Sequence, residues 1–211
     1  MRFIDRIYRH IRPLRFLYGW AKDAQTRSAC SRRAQEWRAR GFKGAKLDVC
    51  GGRNPFQPGE YLNVDAVPLP QVDLVFDITK GFPIPDGVIA DIVSIATLEH
   101  LRLLHIDHVL REFFRILKPG GLLRISTPDI EAIAKQVLAG GDLEMINQHL
   151  FGKFKGEQTA DLDLHKWLYP ASALIEKLRT IGFQNAERIT MDVGMHDPKW
   201  NYLVRAQKPT S

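Results

Sequence analysis

The sequence of 211 residues predicts an α/β protein with a doubly wound, largely parallel sheet. Short apolar runs alternate with helical stretches from residue 46 onward, and the run at residues 91–96 is typical of a central parallel strand. Residues 47–65, LDVCGGRNPFQPGEYLNVD, lead from an apolar strand through a glycine turn and a second apolar run to a carboxylate. This order suits a nucleotide-type site, because the turn lets backbone approach a ligand and the carboxylate can accept hydrogen bonds from ribose hydroxyls.

The boundaries of the predicted elements follow from apolar periodicity and from turn residues. We predict strands at residues 46–50, 61–64, 72–76, 91–96, 122–126, 185–191 and 202–206, and helices at residues 105–117 and 171–181. Proline and paired glycines cannot extend a helix, so the run KPGG at residues 118–121 is expected to end the first helix. Gly182 is expected to end the second.

The net charge of +6 is distributed unevenly along the chain. Residues 1–46 contain 13 Lys/Arg and 3 Asp/Glu, whereas residues 47–211 contain 17 and 21. We therefore predict a basic helical arm at residues 1–45 and a mildly acidic main domain at residues 46–211, with an acceptor-side insertion or lid at residues 131–169. The acidic balance of the main domain argues against nucleic acid as a partner.

The arm has the pattern of an amphipathic helix. Apolar residues recur at three- and four-residue steps through residues 3–18, interleaved with arginines, and Pro13 is expected to bend this helix or begin a new one. Two partners fit residues 1–20 equally well: an anionic membrane surface, where each Lys/Arg contributes about 1 kcal/mol, or the protein itself through its own main domain or a second copy. Residues 27–40 are predicted to form a solvated charged helix.

The sequence favours a cytoplasmic location. Nothing approaches 18 consecutive apolar residues, so no membrane-spanning segment is predicted. Cys30 and Cys50 are too few for a disulfide framework, which indicates a reducing compartment. If the arm binds membrane, the protein is expected at the inner face as a peripheral protein.

Several separated motifs carry a family resemblance. They are LDVCGG at residues 47–52, YLNVD at 61–65, FDITKGFPIPDGVIADIVSIATLEHL at 76–101, RILKPGGLLRISTPD at 115–129, HKWLYPASALIEKLRTIGF at 165–183 and NYLVRAQKP at 201–209. Together they resemble the class I methyltransferases that use S-adenosylmethionine, specifically the small type-11-like enzymes often associated with glycan or polysaccharide synthesis. The resemblance implies a seven-stranded Rossmann-like sheet whose last strand inserts antiparallel. It also implies O-methylation of a small-molecule or sugar/glycan acceptor.

The resemblance also implies which residues bind S-adenosylmethionine. The set comprises Asp48, Cys50, Gly51, Gly52, Asn54, Asp65, Asp77, Ile78, Ala96 and Thr97. Asp65 would bind the ribose and Asp77 the adenine amino group, although Asp77 equally fits a turn residue. Cys50 and Asn54 stand where the family usually has glycine, and cysteine adopts a positive φ less readily than glycine does.

His100 is the predicted general base, because it follows the central strand at the ligand-binding edge and imidazole titrates near neutrality. A helix-start or packing histidine is the alternative. By resemblance, His165, Trp167 and Tyr169 would cover the acceptor, and they could equally close the core. No metal is predicted, since His105 shares the solvated face of a helix with other polar residues.

Two rival functions remain open from the sequence. The first is a non-catalytic S-adenosylmethionine-binding or scaffold protein of the same fold, which the substitution at Cys50 makes conceivable. The second is a nicotinamide-dependent enzyme, which requires a G-x-G-x-x-G turn leading directly into a helix. The sequence GGRNP at residues 51–55 lacks that pattern.

Overall fold

The computed structural model describes residues 2–152, 163–194 and 196–210, with side chains from residue 21 onward. The strands are β1 (Lys46–Val49), β2 (Leu62–Asp65), β3 (Leu74–Val75), β4 (Ile89–Ile95), β5 (Leu117–Pro128), β6 (Gln184–Ile189) and β7 (Asn201–Gln207). The α-helices are α1 (Arg2–Ala39), α2 (Leu103–Ile116), α3 (Ile130–Leu138), α4 (Leu143–Phe151) and α5 (Ala171–Ile181). Two short 3-10 helices cover Ile78–Lys80 and Leu98–His100.

The seven strands form one sheet in the order β3-β2-β1-β4-β5-β7-β6. Strands β1 to β5 pair in parallel, and β7 lies antiparallel between β5 and β6. The predicted fold class, a seven-stranded doubly wound sheet with an antiparallel last strand, is confirmed. Because the strand order reverses between β1 and β4, the carboxyl ends of these two strands border the crevice where α/β folds bind ligands.

Helix α2 covers the sheet with a single apolar stripe. Its five buried side chains are Ile106, Val109, Leu110, Phe113 and Ile116, each 0% exposed. The spacing of three and four residues places them on one face of the helix. At about 1.5–3 kcal/mol for each large apolar side chain fully buried, this stripe is a main source of the attachment of α2 to the sheet.

Strand β5 is much longer than the predicted strand at residues 122–126. It begins at Leu117 and includes the KPGG run, which was expected only to end the preceding helix. Between the pairs Ile89↔Leu117 and Asp91↔Leu122, β5 advances five residues while β4 advances two. The proline and glycines are thus accommodated in an irregular, bulged stretch of the strand, where a missing N–H or side chain is tolerated.

The insertion predicted at residues 131–169 contains two helices that the sequence interpretation missed, α3 and α4. Asp129 caps α3 by accepting hydrogen bonds from the N–H groups of Glu131 and Ala132, and Asp142 caps α4 by accepting one from Met145. Residues 153–162 of the insertion lie outside the described residues.

The N-terminal arm is one continuous helix, so the expectation that Pro13 begins a new helix is wrong. A proline removes a single hydrogen bond of the helical ladder, and a long helix can continue past it. The prediction of a solvated helix at residues 27–40 is also wrong on one face, since Cys30 and Ala34 are buried. Among the described helices, none has the length and apolarity needed to cross a membrane.

Arg33 attaches α1 to the sheet. Its Nε and Nη2 donate to the two carboxylate oxygens of Asp73 at 2.8 and 2.7 Å, and the Asp73 side chain is fully buried. Asp73 Oδ2 also accepts the backbone N–H of Asn63 in β2.

Replacing Arg33 by alanine is expected to lower the free energy of unfolding by about 2–3 kcal/mol, because a buried carboxylate loses its counter-charge while part of the site remains open to water. Chemical denaturation monitored by circular dichroism measures this change. The matched control is Arg32→Ala, which should change stability by less than about 0.5 kcal/mol. The Arg32 guanidinium is exposed, and among the described residues it bonds to Ser28 alone. Equal effects of the two substitutions would contradict the role given to Arg33.

Candidate active site

A cleft of about 700 Å³ opens at the carboxyl edge of the sheet. It is bordered by the turn after β1, the end of β2, the 3-10 helix that follows β3, and the turn after β4. Its volume lies in the range of small-molecule and cofactor sites, and its place at the strand-order reversal is where α/β folds bind ligands.

The turn after β1 is built on a buried acid. Asp48 is 1% exposed, and its Oδ2 accepts the backbone N–H of Phe56 at 2.7 Å. A Cβ atom on Gly51 would lie 2.0 Å from the same oxygen, so only glycine fits above this carboxyl group. Burial, the main cause, raises the pKa of Asp48 to about 7.

Cys50 adopts the left-handed conformation, with φ of 61°, and Gly52 follows it with φ of 54°. For a non-glycine residue this backbone costs on the order of 1–3 kcal/mol, and such strain is found mainly at functional sites. Burial, followed by the nearby Asp65 carboxylate, raises the pKa of the Cys50 thiol to about 12. The thiol is therefore neutral at physiological pH and is not an activated nucleophile.

Asp65 ends β2 at the rim of the cleft. Its Oδ1 accepts the backbone N–H of Val67 at 2.8 Å, which fixes the carboxylate. Its Oδ2 lies 3.8 Å from the position of a Cβ on Gly52, and among the described residues it has no hydrogen-bond partner. A carboxylate oxygen is therefore free to accept hydrogen bonds from a ligand in the cleft.

The 3-10 helix Ile78–Lys80 forms the next wall of the cleft. Asp77 caps it, since its Oδ1 accepts from the N–H and the hydroxyl of Thr79 at 3.0 and 2.7 Å. These bonds, the hydroxyl bond first, lower the pKa of Asp77. Ile78 is 4% exposed and belongs to the core, while it and Phe76 also line the cleft.

The turn after β4 closes the cleft on the opposite side. Ala96 has a φ of 53°, a second strained position at this edge of the sheet. The hydroxyl of Thr97 donates to the Val49 carbonyl oxygen at 2.9 Å and so joins the ends of β4 and β1. Two strained backbone turns thus face each other across the point where the strand order reverses.

His100 presents a neutral imidazole to the cleft. Its Nδ1 lies 3.2 Å from the carbonyl oxygen of Leu164, and because that oxygen can only accept, Nδ1 is assigned the proton and Nε2 the lone pair. Burial is the main cause that lowers the pKa of His100. The group can therefore accept a proton or donate a lone pair at neutral pH.

Glu99 is a buried acid directly before His100. It is 1% exposed, and its Oε2 accepts the Thr127 hydroxyl at 2.9 Å. Burial raises its pKa to about 7. The backbone oxygen of Glu99 accepts the N–H groups of Lys166 and Trp167 at 2.6 and 3.3 Å, which attaches the segment of residues 164–169 to the cleft wall.

His165 lies on that segment, with its ring centroid 5.0 Å from that of His100. Its Nδ1 is 2.8 Å from the His149 carbonyl oxygen, so this ring also has its lone pair at Nε2. Burial, the main cause, lowers the pKa of His165 to about 4.

The structure brings most of the predicted site residues together. Those that line the cleft are Cys50, Gly52, Asp65, Asp77, Ile78, Ala96, Thr97 and His100. Asp48 and Gly51 support the first turn from below. Asn54 faces a separate groove beside α1, Trp167 is 42% exposed outside the cleft, and Tyr169 packs against the core.

The cleft is also lined by five cationic or titratable residues outside the predicted site, namely Arg53, Arg102, His105, Asp163 and Lys166. Lys166 is held by a hydrogen bond from its Nζ to the His100 carbonyl oxygen at 3.1 Å. Its position within the quoted HKWLY motif could have indicated it. Nothing in the sequence pattern distinguished Arg53 and His105 from surface residues.

The strand order, the antiparallel last strand and the cleft at the β1/β4 edge define the class I methyltransferase fold. Residues 22–188 match the family described as a methyltransferase domain, and the chain belongs to this family. The predicted class, a class I S-adenosylmethionine-dependent methyltransferase, is thereby confirmed. No curated protein sequence matches the chain.

Solved structures share the fold at low sequence identity. The apo S-adenosylmethionine-dependent methyltransferase SibL aligns with a TM-score of 0.52 and 15% identity over 79% of this chain and 51% of SibL, so the chain spans about half its length. An S-adenosylmethionine-dependent methyltransferase from Methanosarcina mazei aligns with a TM-score of 0.53 and 15% identity, over 81% of this chain and 94% of its own. Human N-acetylserotonin methyltransferase, solved with S-adenosylmethionine, aligns with a TM-score of 0.50 and 12% identity, over 89% of this chain and 57% of its own.

Asp48 should make stability pH-dependent. The unfolded carboxyl ionises near pH 4 and the folded one near pH 7, so the unfolded chain binds fewer protons across this window and stability falls as the pH rises. The Asp48→Asn variant lacks this titrating group. Its free energy of unfolding should therefore rise by roughly 2–4 kcal/mol relative to that of the wild type between pH 4 and 7. Urea unfolding at several pH values measures the difference. The assignment would be contradicted if the difference in unfolding free energy between variant and wild type did not change with pH. The same gain in the exposed control Asp107→Asn would also contradict it.

Proposed function

We propose that this chain binds S-adenosylmethionine in the cleft and transfers its methyl group to a hydroxyl of a small-molecule or sugar-like acceptor. The observation that carries the proposal is Oδ2 of Asp65, which has no hydrogen-bond partner among the described residues and lines the same cleft as the strained turns at Cys50 and Ala96. A nucleoside with vicinal hydroxyls is the ligand that such a strand-end carboxylate suits best.

The described residues fit the parts of the cofactor in order along the cleft. Phe76 and Ile78 offer apolar surface for an adenine ring, beside the carboxylate of Asp77. Asp65 accepts from ribose hydroxyls. The backbone at Ala96 borders the methionine portion, and Lys166 supplies a positive charge for its carboxylate.

When bound, S-adenosylmethionine supplies a methyl group on a sulfonium sulfur, which a hydroxyl oxygen can take by direct displacement. The residues of the chain position the reactants and exclude water, and positioning alone can provide much of the rate enhancement. In the metal-free protein, Nε2 of His100 is the group that receives the hydroxyl proton, because it carries a lone pair and lines the cleft.

Aromatic residues beside the acceptor segment support a sugar-like acceptor. Trp167 and Tyr169 meet edge to face with centroids 6.2 Å apart, and the Trp167 ring is 42% exposed. An exposed indole can stack on the apolar face of a sugar ring. We propose that this pair and His165 contact the acceptor as it enters from the side of the insertion.

The other functions considered from the sequence are less well supported. A nicotinamide-dependent enzyme needs a glycine-rich turn that leads directly into a helix, whereas the chain continues from Gly52 through irregular structure to β2. A non-catalytic protein of the same fold would bind the cofactor without forming S-adenosylhomocysteine. Incubation with candidate hydroxylated acceptors, followed by mass spectrometry of the nucleoside product, distinguishes an enzyme from a scaffold.

We also propose that residues 1–20 bind an anionic membrane surface from the cytoplasmic side. The support comes from the sequence, in which five arginines interleave with an apolar helical stripe.

Asp65→Ala is expected to weaken S-adenosylmethionine binding at least about tenfold, because charge-assisted hydrogen bonds to the ribose are lost. Isothermal titration calorimetry measures the affinity. Thermal unfolding should stay nearly unchanged, since the half-buried carboxylate has one hydrogen bond to the described residues, from the N–H of Val67 in an exposed turn. The control Asp107→Ala removes a carboxylate of α2 outside the cleft and should leave affinity unchanged. Unaltered affinity in Asp65→Ala would refute this assignment of the site.

Deleting residues 1–20 is expected to reduce sedimentation with vesicles that contain phosphatidylglycerol, because the interleaved arginines and apolar stripe are removed together. Cofactor affinity should be retained, and vesicles of phosphatidylcholine alone serve as the uncharged control. Unchanged sedimentation of the truncated chain would contradict membrane binding by the arm. A change in oligomeric state without a change in sedimentation would favour self-association instead.

A further inference from the structure

We propose that Glu99, His100 and His165 form a binding site for a divalent transition-metal ion of the zinc type. One potential ligand atom from each of the three side chains lies within 4.8 Å of the other two in the described part of the chain. Two imidazole nitrogens and one carboxylate oxygen form a ligand set that zinc sites use, with a fourth position left open to water or substrate.

Both histidines are already oriented as metal ligands are. His100 donates from Nδ1 to the Leu164 carbonyl oxygen at 3.2 Å, and His165 does the same to the His149 carbonyl oxygen at 2.8 Å. Metal-bound histidines characteristically donate their other ring N–H to a carbonyl or carboxylate, which fixes the tautomer and the ring orientation. In both rings this leaves the Nε2 lone pair available.

The relation between the two rings also fits one shared ion. Their centroids are 5.0 Å apart and their planes are inclined by 70°. With Zn–N bonds of about 2.0–2.1 Å and tetrahedral angles, two imidazoles on one ion place their centroids about 5 Å apart. The observed separation of the two rings therefore matches that of two imidazoles on one ion.

Glu99 forms no ion pair with any of the described residues. It is 1% exposed, and its described donors are the Thr127 hydroxyl and the backbone N–H groups of Thr97 and Glu99 itself. A carboxylate that is buried and ionised is costly unless it is paired with a cation or coordinates a metal. A bound divalent ion would supply the missing positive charge beside two neutral imidazoles.

The nitrogen-rich ligand set decides the class of ion. Magnesium and calcium prefer oxygen ligands, whereas imidazole suits zinc and its first-row neighbours. No metal was predicted from the sequence. His165 is separated from Glu99 and His100 by 65 residues or more, and only the fold brings the three together.

The site deepens the proposed function. Because His100 lines the cleft, an ion held by these three residues would lie at the wall of the cleft. An ion there would lower the proton affinity of a bound hydroxyl, in place of direct proton transfer to His100. This consequence rests on the proposed methyl transfer, whereas metal binding itself does not.

Metal binding can be tested on the full chain after chelator treatment and dialysis. Titration with zinc chloride by calorimetry, and with cobalt chloride by visible absorption, is expected to show about one ion per chain and the intense bands of tetrahedral cobalt with nitrogen and oxygen ligands. Absence of stoichiometric binding, or an octahedral cobalt spectrum unaffected by the variants below, would overturn the proposal.

The variants Glu99→Gln and His165→Gln are expected to weaken zinc binding at least about tenfold. Glu99→Gln keeps the shape and the acceptor for Thr127, and circular dichroism verifies that each variant is folded. The control His108→Gln removes an exposed histidine of α2 outside the cleft and should leave zinc affinity unchanged. Equal affinities in all variants would refute the three-residue site.

Cofactor titration separates this inference from the proposed function. If the metal-free chain binds S-adenosylmethionine but the chain takes up no zinc, only the metal site fails. If zinc binds and S-adenosylmethionine does not, the proposed function fails and the metal site stands.

Discussion

The cleft depends on the close approach of the Gly51 backbone to the buried carboxyl group of Asp48. Asp48 Oδ2 accepts the Phe56 N–H, which draws residues 51–56 back over the end of β1. A side chain at Gly51 would collide with that oxygen, and the chain can reach this position only because Cys50 adopts a left-handed backbone. The turn thereby brings Gly52, which has no side chain, to the lining of the cleft, where backbone can approach a nucleoside closely.

The carboxyl groups at this edge divide into two kinds by their surroundings. Asp48 and Glu99 are buried and have pKa values near 7, so they tend to be protonated where a surface carboxyl is ionised. Asp65 and Asp77 are more exposed, and hydrogen bonds from turn backbone orient both. Asp48 supports the wall of the cleft, and Glu99 is the carboxyl group of the proposed metal site. Asp65 and Asp77 present carboxylate oxygens to a ligand in the cleft.

Prediction from sequence succeeded where a structural feature is formed by contiguous residues. The turn at residues 47–52, the strand-end Asp65 and the Ala96–Thr97 turn are each local, and their patterns placed them at one sheet edge. Prediction failed for short helices and for contacts between residues that are distant in the sequence. Helices α3 and α4 have nine residues each, too short for a clear apolar period although Asp129 and Asp142 cap them. The pairing of His100 with His165 arises only when the Glu99 backbone oxygen binds the N–H of Lys166.

A continuous chain of hydrogen bonds joins α1 to the turn after β1. Arg33 of α1 binds Asp73, Asp73 accepts the N–H of Asn63, and the Asn63 side-chain amide donates to the Gly52 carbonyl oxygen at 3.0 Å. The docked half of α1 is thus part of the support of the cleft rather than a detachable appendage. Since this contact lies well beyond residue 20, the membrane binding proposed for residues 1–20 leaves the support of the turn intact.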